Sequence, residues 1–195
     1  MKLANKTSGA LRQFVVAVTE AIEHENQKAG YPASLPDALK RLVADDNWLP
    51  DAFAQPEARS YCQYLLHCDP LERFSVVSFV WAAGQQTPIH DHTVWGAIGQ
   101  LRGTERSTPY KRENGGQLVA GAPESTSPGD VIAFSPADGD IHQVVNPGPE
   151  TAISIHVYGA NIGRITRSVY DPLTGAASAF VSGYSNRVLP NLWEY

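Results

Sequence analysis

The chain has 195 residues, 43% of them hydrophobic, with 15 basic against 20 acidic side chains and a net charge of −5 at pH 7. That length suits a single domain with a sizeable core, and the scattered basic residues form no stripe that could follow a phosphate backbone, which argues against nucleic acid as a partner. No apolar run approaches the roughly 18 residues that a membrane span needs. The opening "MKLANKTSGALRQF" lacks the apolar stretch and cleavage site of a secretory signal, so a cytoplasmic protein with no membrane partner is expected.

Residues 1–55 read as helical. In "LRQFVVAVTEAIEHE", Leu11, Phe14, Val15, Val18 and Ile22 recur at three- and four-residue spacing, one face of a helix. A second helix opens at Ser34 with Pro36 in its first turn and presents Leu39, Leu42 and Val43. "NWLPDAFAQP" reads as a loop or a short helix. From residue 56 to 195 the pattern changes to short β-prone runs separated by turn residues. These runs include "YCQYLLHC", "FSVVSFVWA", "WGAIGQLRG", "STPYKRE", "QLVAGAP", "DVIAFSP", "HQVVNPG", "AISIHVYG" and "ITRSVYD". No helix alternates with them, so a mainly β sandwich or barrel is expected and a parallel α/β sheet is not. The whole, 1–195, reads as one domain: a helical N-terminal segment packed on a β-barrel.

Cys62 and Cys68 fall in one expected strand. Regular alternation would put them on one face, too far apart to bridge, as two reduced thiols. The same alternation sends Cys62 and its neighbour Gln63 to opposite faces.

Six histidines are present: His24, His67, His90, His92, His142 and His156. A lone histidine is more often a surface or satisfied core residue, and His24 and His67 read that way. His90 and His92 form an H-x-H pair in "TPIHDHTVWG". On a strand, residues i and i+2 share a face, so both imidazoles could enter one cavity, and neutral imidazole is the commonest metal ligand. Asp91, between them, would face away and act as a supporting hydrogen-bond partner.

The spacing around the pair is specific. Gly84, His90, His92, Gly96 and Gly103 match the first cupin motif, G(x)5HxH(x)3–4E(x)6G, except that Gly96 stands at the glutamate. "GDVIAFSPADGDIHQVVNP" resembles the second cupin motif through Gly129, Pro136, Gly139, His142 and Asn146, with a turn one residue longer than usual. The resemblance implies a small jelly-roll barrel with His90, His92 and His142 around a metal. Three imidazoles without a carboxylate suit zinc, iron, copper or nickel alike. In "AISIHVYG", Ser154, His156 and Tyr158 alternate, so a strand puts them on one face; the plain alternative is a polar outer face.

A Ser-x-His-x-Tyr strand downstream of a three-histidine cupin resembles the thiol dioxygenases, the cysteine dioxygenase family, over roughly residues 55–185. That resemblance implies one Fe(II) per chain on His90, His92 and His142, an enzyme that adds both atoms of O2 to a thiol to give a sulfinic acid, and an outer relay of Ser154, His156 and Tyr158. Where the family's "YxR" strand carries a carboxylate-gripping arginine, "YCQY" has Gln63, which has no charge and no fork. This variant is similar to the bacterial 3-mercaptopropionate dioxygenases, and in that group the arginine aligned with Arg167 in "RITRSVYD" takes the carboxylate together with Tyr158; Arg164 is a nearby competitor. Gly96 also removes the cysteine that animal relatives crosslink to the tyrosine. The expected reaction converts 3-mercaptopropionate to 3-sulfinopropionate. The alternatives are cysteine as the thiol, a metal-binding cupin sensor without turnover, or a zinc or nickel isomerase or hydrolase. The last would need a general base such as the glutamate missing at Gly96.

Overall fold

A computed structural model describes residues 7–27, 30–113 and 116–193, without the side chains of Thr7, Ser8 and Asp138. Two helices come first, α1 (Thr7–His24) and α2 (Leu35–Val43). Among the described residues, twelve strands succeed them in chain order: β1 (Cys62–Cys68), β2 (Ser75–Trp81), β3 (Ile89–His90), β4 (Gly96–Arg102), β5 (Glu105–Arg112), β6 (Leu118–Ala120), β7 (Glu124–Thr126), β8 (Val131–Phe134), β9 (His142–Val145), β10 (Ala152–Tyr158), β11 (Arg167–Tyr170) and β12 (Ala177–Phe180). They form two largely antiparallel sheets, ordered β1-β2-β10-β4-β8 and β12-β11-β3-β9-β5-β6, with β7 paired to β5. This is a mainly β, cupin-like jelly roll with two helices packed against it. No helix among the described residues is long and apolar enough to cross a membrane.

The helices form as their periodicity dictates. Leu11, Phe14, Val15 and Val18 of α1 and Leu35, Ala38, Leu39, Leu42 and Val43 of α2 are buried, and Pro36 sits in the first turn of α2 where its missing N–H costs nothing. The Glu25 carboxylate accepts from the Ser34 backbone N–H at 2.9 Å, joining the end of one helix to the start of the next. The Trp48 indole donates to the Leu42 carbonyl at 2.9 Å and satisfies an acceptor that the end of α2 leaves open. Leu39 and Val43 press on Gly99 of β4, where a Cβ would lie 2.8 Å from Val43 and 3.0 Å from Leu39.

The first sheet has two different faces. Val76, Val80, Ala97, Leu101, Ile153, Ile155 and Val157 join the helices in one apolar cluster. Val77, Phe79, Trp81 and Tyr158 point the other way, into the barrel. β10 is central and buried on both faces. A polar outer face on Ser154, His156 and Tyr158 is therefore wrong for this strand: all three are buried.

β1 departs from regular alternation. Its pairing with β2 shifts between Leu65 and His67, so a bulge inverts the facing of the residues beyond it. Cys62 lies in the helix-side core, while Cys68 pairs with Ser75 on the far side of the bulge. The expected shared face for the two thiols is corrected on this ground; both are free. Three strands fall outside the β-prone runs: β3, only two residues long, β7, short and set among turn residues, and β12, an exposed edge of small residues (Ala177, Ser178 and Ala179).

Candidate metal centre

Two strands and a loop bring three histidines together. His90 ends β3 and stands directly opposite His142 of β9 in an antiparallel pair, so the register alone puts both imidazoles on one face. His92 lies past the end of β3. Thr93 beside it takes a left-handed backbone, φ 62°, and the Asp140 carboxylate accepts from the N–H groups of His92 and Thr93 at 2.8 and 2.9 Å. The expectation that H-x-H shares a strand face is thus corrected: a turn anchored by Asp140 aims His92. The longer P-x-x-G turn is a short 3₁₀ turn over Pro136–Asp138, closed by Gly139 at φ 87°, which leads directly into Asp140.

The three ring centroids stand 5.0, 4.8 and 4.8 Å apart, nearly an equilateral triangle. One nitrogen from each ring falls within 4.8 Å of the others, and this is the one cluster among the described residues that could hold a metal ion. Two rings are oriented from behind. His90 Nδ1 lies 3.1 Å from the Pro88 carbonyl, and His142 Nδ1 lies 3.0 Å from the Ser107 hydroxyl. Such partners fix a ring's tautomer and leave the other nitrogen for a metal. His92 Nδ1 and His142 Nε2 are buried without any hydrogen-bond partner. Orphaned buried acceptors are costly, and a metal ion resolves that cost.

Electrostatics support neutral ligands. Burial first, then neighbouring His142, pushes His90 down to about 3. Burial, then His156, pushes His142 down to about 4. Burial, then His142 and His90, holds His92 well below its ordinary range. Neutral imidazoles are the metal-binding form.

The fourth position of a typical cupin site is filled with hydrocarbon. A Cβ on Gly96 would collide with the Phe134 ring, and that ring lies 4.8 Å from His92. Asp91 is turned away from the cluster. Its carboxylate accepts from the Ser168 N–H at 2.8 Å and from the Tyr170 hydroxyl at 2.7 Å, tying the histidine segment to β11.

The Ser-x-His-x-Tyr strand forms a linear hydrogen-bond chain. Ser154 Oγ lies 2.7 Å from His156 Nε2, and His156 Nδ1 lies 2.7 Å from Tyr158 Oη. Phe79 lies 4.1 Å from the His156 ring, and the Tyr158 ring is 5.2 Å from His92. Burial keeps His156 neutral, pushed down to about 3, and pushes the Tyr158 hydroxyl up, partly offset by the charge of Arg167.

Arg167 opens β11, where Val169 pairs with His90, so alternation carries Arg167 to the same face as the histidine. It is 5% exposed. One terminal N–H₂ donates to Ser182 at 2.8 Å, its guanidinium lies over the Phe180 ring, and its Nε is buried without a partner. No carboxylate is hydrogen-bonded or ion-paired to it among the described residues, although the charge of Asp91 reaches it, and its own charge acts on Tyr158, Tyr61 and both β3-side histidines. Arg164 is exposed. Gln63 is half-buried on the barrel face of β1, opposite Phe79, while Cys62 faces the helices.

Several contributors escaped the sequence reading: Phe134, Ser107, Asp140, the aromatic stack of Tyr61, Phe79 and Trp81, and the buried Glu105. The glycine at the glutamate position of the motif hinted at Phe134; nothing local marks the others.

No protein-family profile matches the sequence. Among solved structures, the chain is similar to a Klebsiella pneumoniae protein with a double-stranded β-helix domain (TM-score 0.46, 17% identity, 68% of this chain and 87% of that one). It is also similar to a Cupin 2 conserved barrel domain protein of Salinispora arenicola (TM-score 0.43, 23% identity, 58% and 86%) and to a cupin superfamily protein of Desulfitobacterium hafniense (TM-score 0.45, 14% identity, 60% and 94%).

Proposed function

We propose that this metal-binding, cupin-like pocket is the active site of a non-haem ferrous dioxygenase. It acts on a small carboxylated thiol, RSH + O2 → RSO2H, and 3-mercaptopropionate is the first candidate. The observation that carries the reading is Arg167, a buried cation without a carboxylate partner among the described residues, set on the face of the three histidines and acting on Tyr158. A buried charge needs a counter-charge, and a substrate carboxylate supplies one. His90, His92 and His142 would hold one ferrous ion per chain, which would supply the redox chemistry that lets O2 react with a thiol.

The chain's own residues would do the rest. Arg167 grips the carboxylate, and Tyr158 positions the ligand by hydrogen bonding. His156 and Ser154 hold the Tyr158 hydroxyl, while Phe79, Trp81 and Phe134 keep the cavity dry. Gln63 offers only an amide, so it does not duplicate the work of Arg167. That favours a thiol whose single charged group is its acid. The second reading, cysteine, draws on the same amide: it makes no hydrogen bond among the described residues, and its oxygen could accept from an ammonium. A metal-binding cupin without turnover accounts for the three histidines, but it has no use for a buried relay and a buried arginine beside them.

The test is thiol-dependent O2 uptake by iron-loaded protein, with 3-mercaptopropionate and cysteine side by side and the product identified by mass. Sulfinate formed faster from 3-mercaptopropionate is the expected result. Faster turnover of cysteine gives the second reading, and no uptake with any thiol leaves only metal binding. Arg167→Ala is expected to raise KM for 3-mercaptopropionate by about tenfold or more, the scale of a lost charged hydrogen bond. It should barely move KM for 2-aminoethanethiol, which has no acid to grip; equal effects on both would remove Arg167 from this role. Gln63→Arg is expected to shift relative activity toward cysteine.

A further inference from the structure

A buried carboxyl stands beyond the Ser154 end of the hydrogen-bond chain. Glu105, at the start of β5, is 4% exposed and stands next to Ser154: Gln100, whose amide bonds Glu105, is the cross-strand partner of Ser154, and the Ser154 hydroxyl acts on the Glu105 carboxyl. Gln100 Nε2 donates to its Oε1 at 3.3 Å, and Thr126 Oγ1 in turn donates to Gln100 Oε1 at 2.8 Å. Trp81 Nε1, short of hydrogen-bond geometry, adds a weaker influence. The carboxyl has no ion-pair partner among the described residues. A glutamate in such a place is expensive where a glutamine would make the same neutral hydrogen bonds. It borders the cavity that His92 and His142 also line, yet it is not one of the three metal-holding residues.

A neutral imidazole has one N–H and one acceptor nitrogen. With hydroxyls on both sides, the two hydrogen bonds of His156 must therefore run in the same direction. When Glu105 is ionised, Ser154 donates to it, His156 Nε2–H donates to Ser154, and Tyr158 O–H is used up on Nδ1. When Glu105 is protonated, the chain reverses. The carboxyl donates to Ser154, Ser154 donates to Nε2, and Nδ1–H donates to Tyr158 Oη, whose own proton is then free to turn into the cavity. Passing one proton along each link moves one proton from Glu105 to the cavity at Tyr158 Oη, with no electron transferred.

We propose that Glu105 is the fourth member of the relay, a positioning residue that sets the tautomer of His156 through Ser154 and so decides whether Tyr158 offers the cavity a proton or a lone pair. Burial lifts its carboxyl to about 7, so both directions are accessible near neutral pH. The titratable groups that line the cavity beside Glu105 are His92, His142 and Asp140, and at the other end of the chain Tyr158 also feels the charge of Arg167. The consequence for turnover rests on the dioxygenase reading; the coupling of Glu105 to His156 does not.

The test is nitrogen-15 NMR of histidine-labelled full-length protein, metal-free and loaded with diamagnetic zinc, recorded across pH. In the wild type the His156 ring nitrogens are expected to exchange tautomer through neutrality. In Glu105→Gln that pH-dependent change is lost. Ser154→Ala, which cuts the link and leaves the carboxyl in place, should lose it as well, and serves alone if Glu105→Gln fails to fold. A wild-type tautomer that does not change with pH, or one that changes equally in the variants, overturns the proposal. With iron and thiol, wild-type kcat should fall as pH rises through neutrality and the Glu105→Gln profile should be flat there, with KM unchanged. Absence of turnover in the wild type would sink the dioxygenase reading and leave the tautomer result to judge Glu105.

Discussion

Gly96 shows how one missing side chain organises the centre. The Phe134 ring occupies the space where a Cβ would start, and it rests against His92. A carboxylate cannot simply be restored here. Gly96→Ala is expected to destabilise the fold by about 1–3 kcal/mol through overpacking and to weaken metal binding by displacing Phe134 onto His92. Phe134→Leu in the same chain should recover part of both losses, read by urea denaturation and by zinc titration. Arg167 and Gln63 belong to this scale too. The sequence singles out both as candidates; burial separates Arg167 from exposed Arg164, and strand alternation separates Gln63 from Cys62. Ser107 and Glu105 were illegible because each stands beside a residue far away in the chain, His142 and Ser154.

Among the elements, the short β3 and the turns on either side of β9 do most of the placing. β3 spans only Ile89–His90, so it relies on outside anchors: Asp91 bound to β11, and Asp140 bound to the backbone after His92. Asp140→Ala is expected to lower metal affinity by about 10- to 100-fold, as loss of an orienting partner does, while leaving the helical signal and the unfolding midpoint nearly unchanged. If metal affinity stays at the wild-type value, Asp140 does not aim His92. The packing of α2 on β4 makes the opposite prediction: Leu39→Ala should cost about 2–5 kcal/mol and leave the metal affinity of the folded fraction alone. Both helices were readable from three- and four-residue spacing because one face of each is buried. β12 was not, because an exposed strand of small residues carries no burial pattern to read.

Across the whole molecule, the buried titratable groups set opposing pH trends. His90 and His156 at about 3 and His142 at about 4 must charge on unfolding when pH is below their ordinary 6.5. Between those values the unfolded state binds more protons, so stability of the metal-free protein is lost as pH falls from 6.5. Glu105 acts in the other direction. Its carboxyl rises from an ordinary 4.5 to about 7, so the folded state binds more protons in that window and its contribution declines as pH rises from 4.5 to 7. The stability difference between the wild type and Glu105→Gln should therefore change by about 3 kcal/mol over that range and be flat above it, as chemical denaturation at each pH would show. A difference that does not vary with pH would mean that Glu105 is ionised, or protonated, in both states alike. Local chemistry was written into the sequence: the helix faces, the strand-and-turn punctuation, the H-x-H pair with its third histidine, and the alternation of Ser154, His156 and Tyr158. Those features depend on residues within a few positions of one another, and chain periodicity exposes them. The tertiary structure alone decided that His142 stands opposite His90, that the Phe134 ring fills the space beside Gly96, that Arg167 is buried with no carboxylate ion-paired to it among the described residues and that Glu105 lies behind Ser154, because each depends on which distant strands share a face of the barrel.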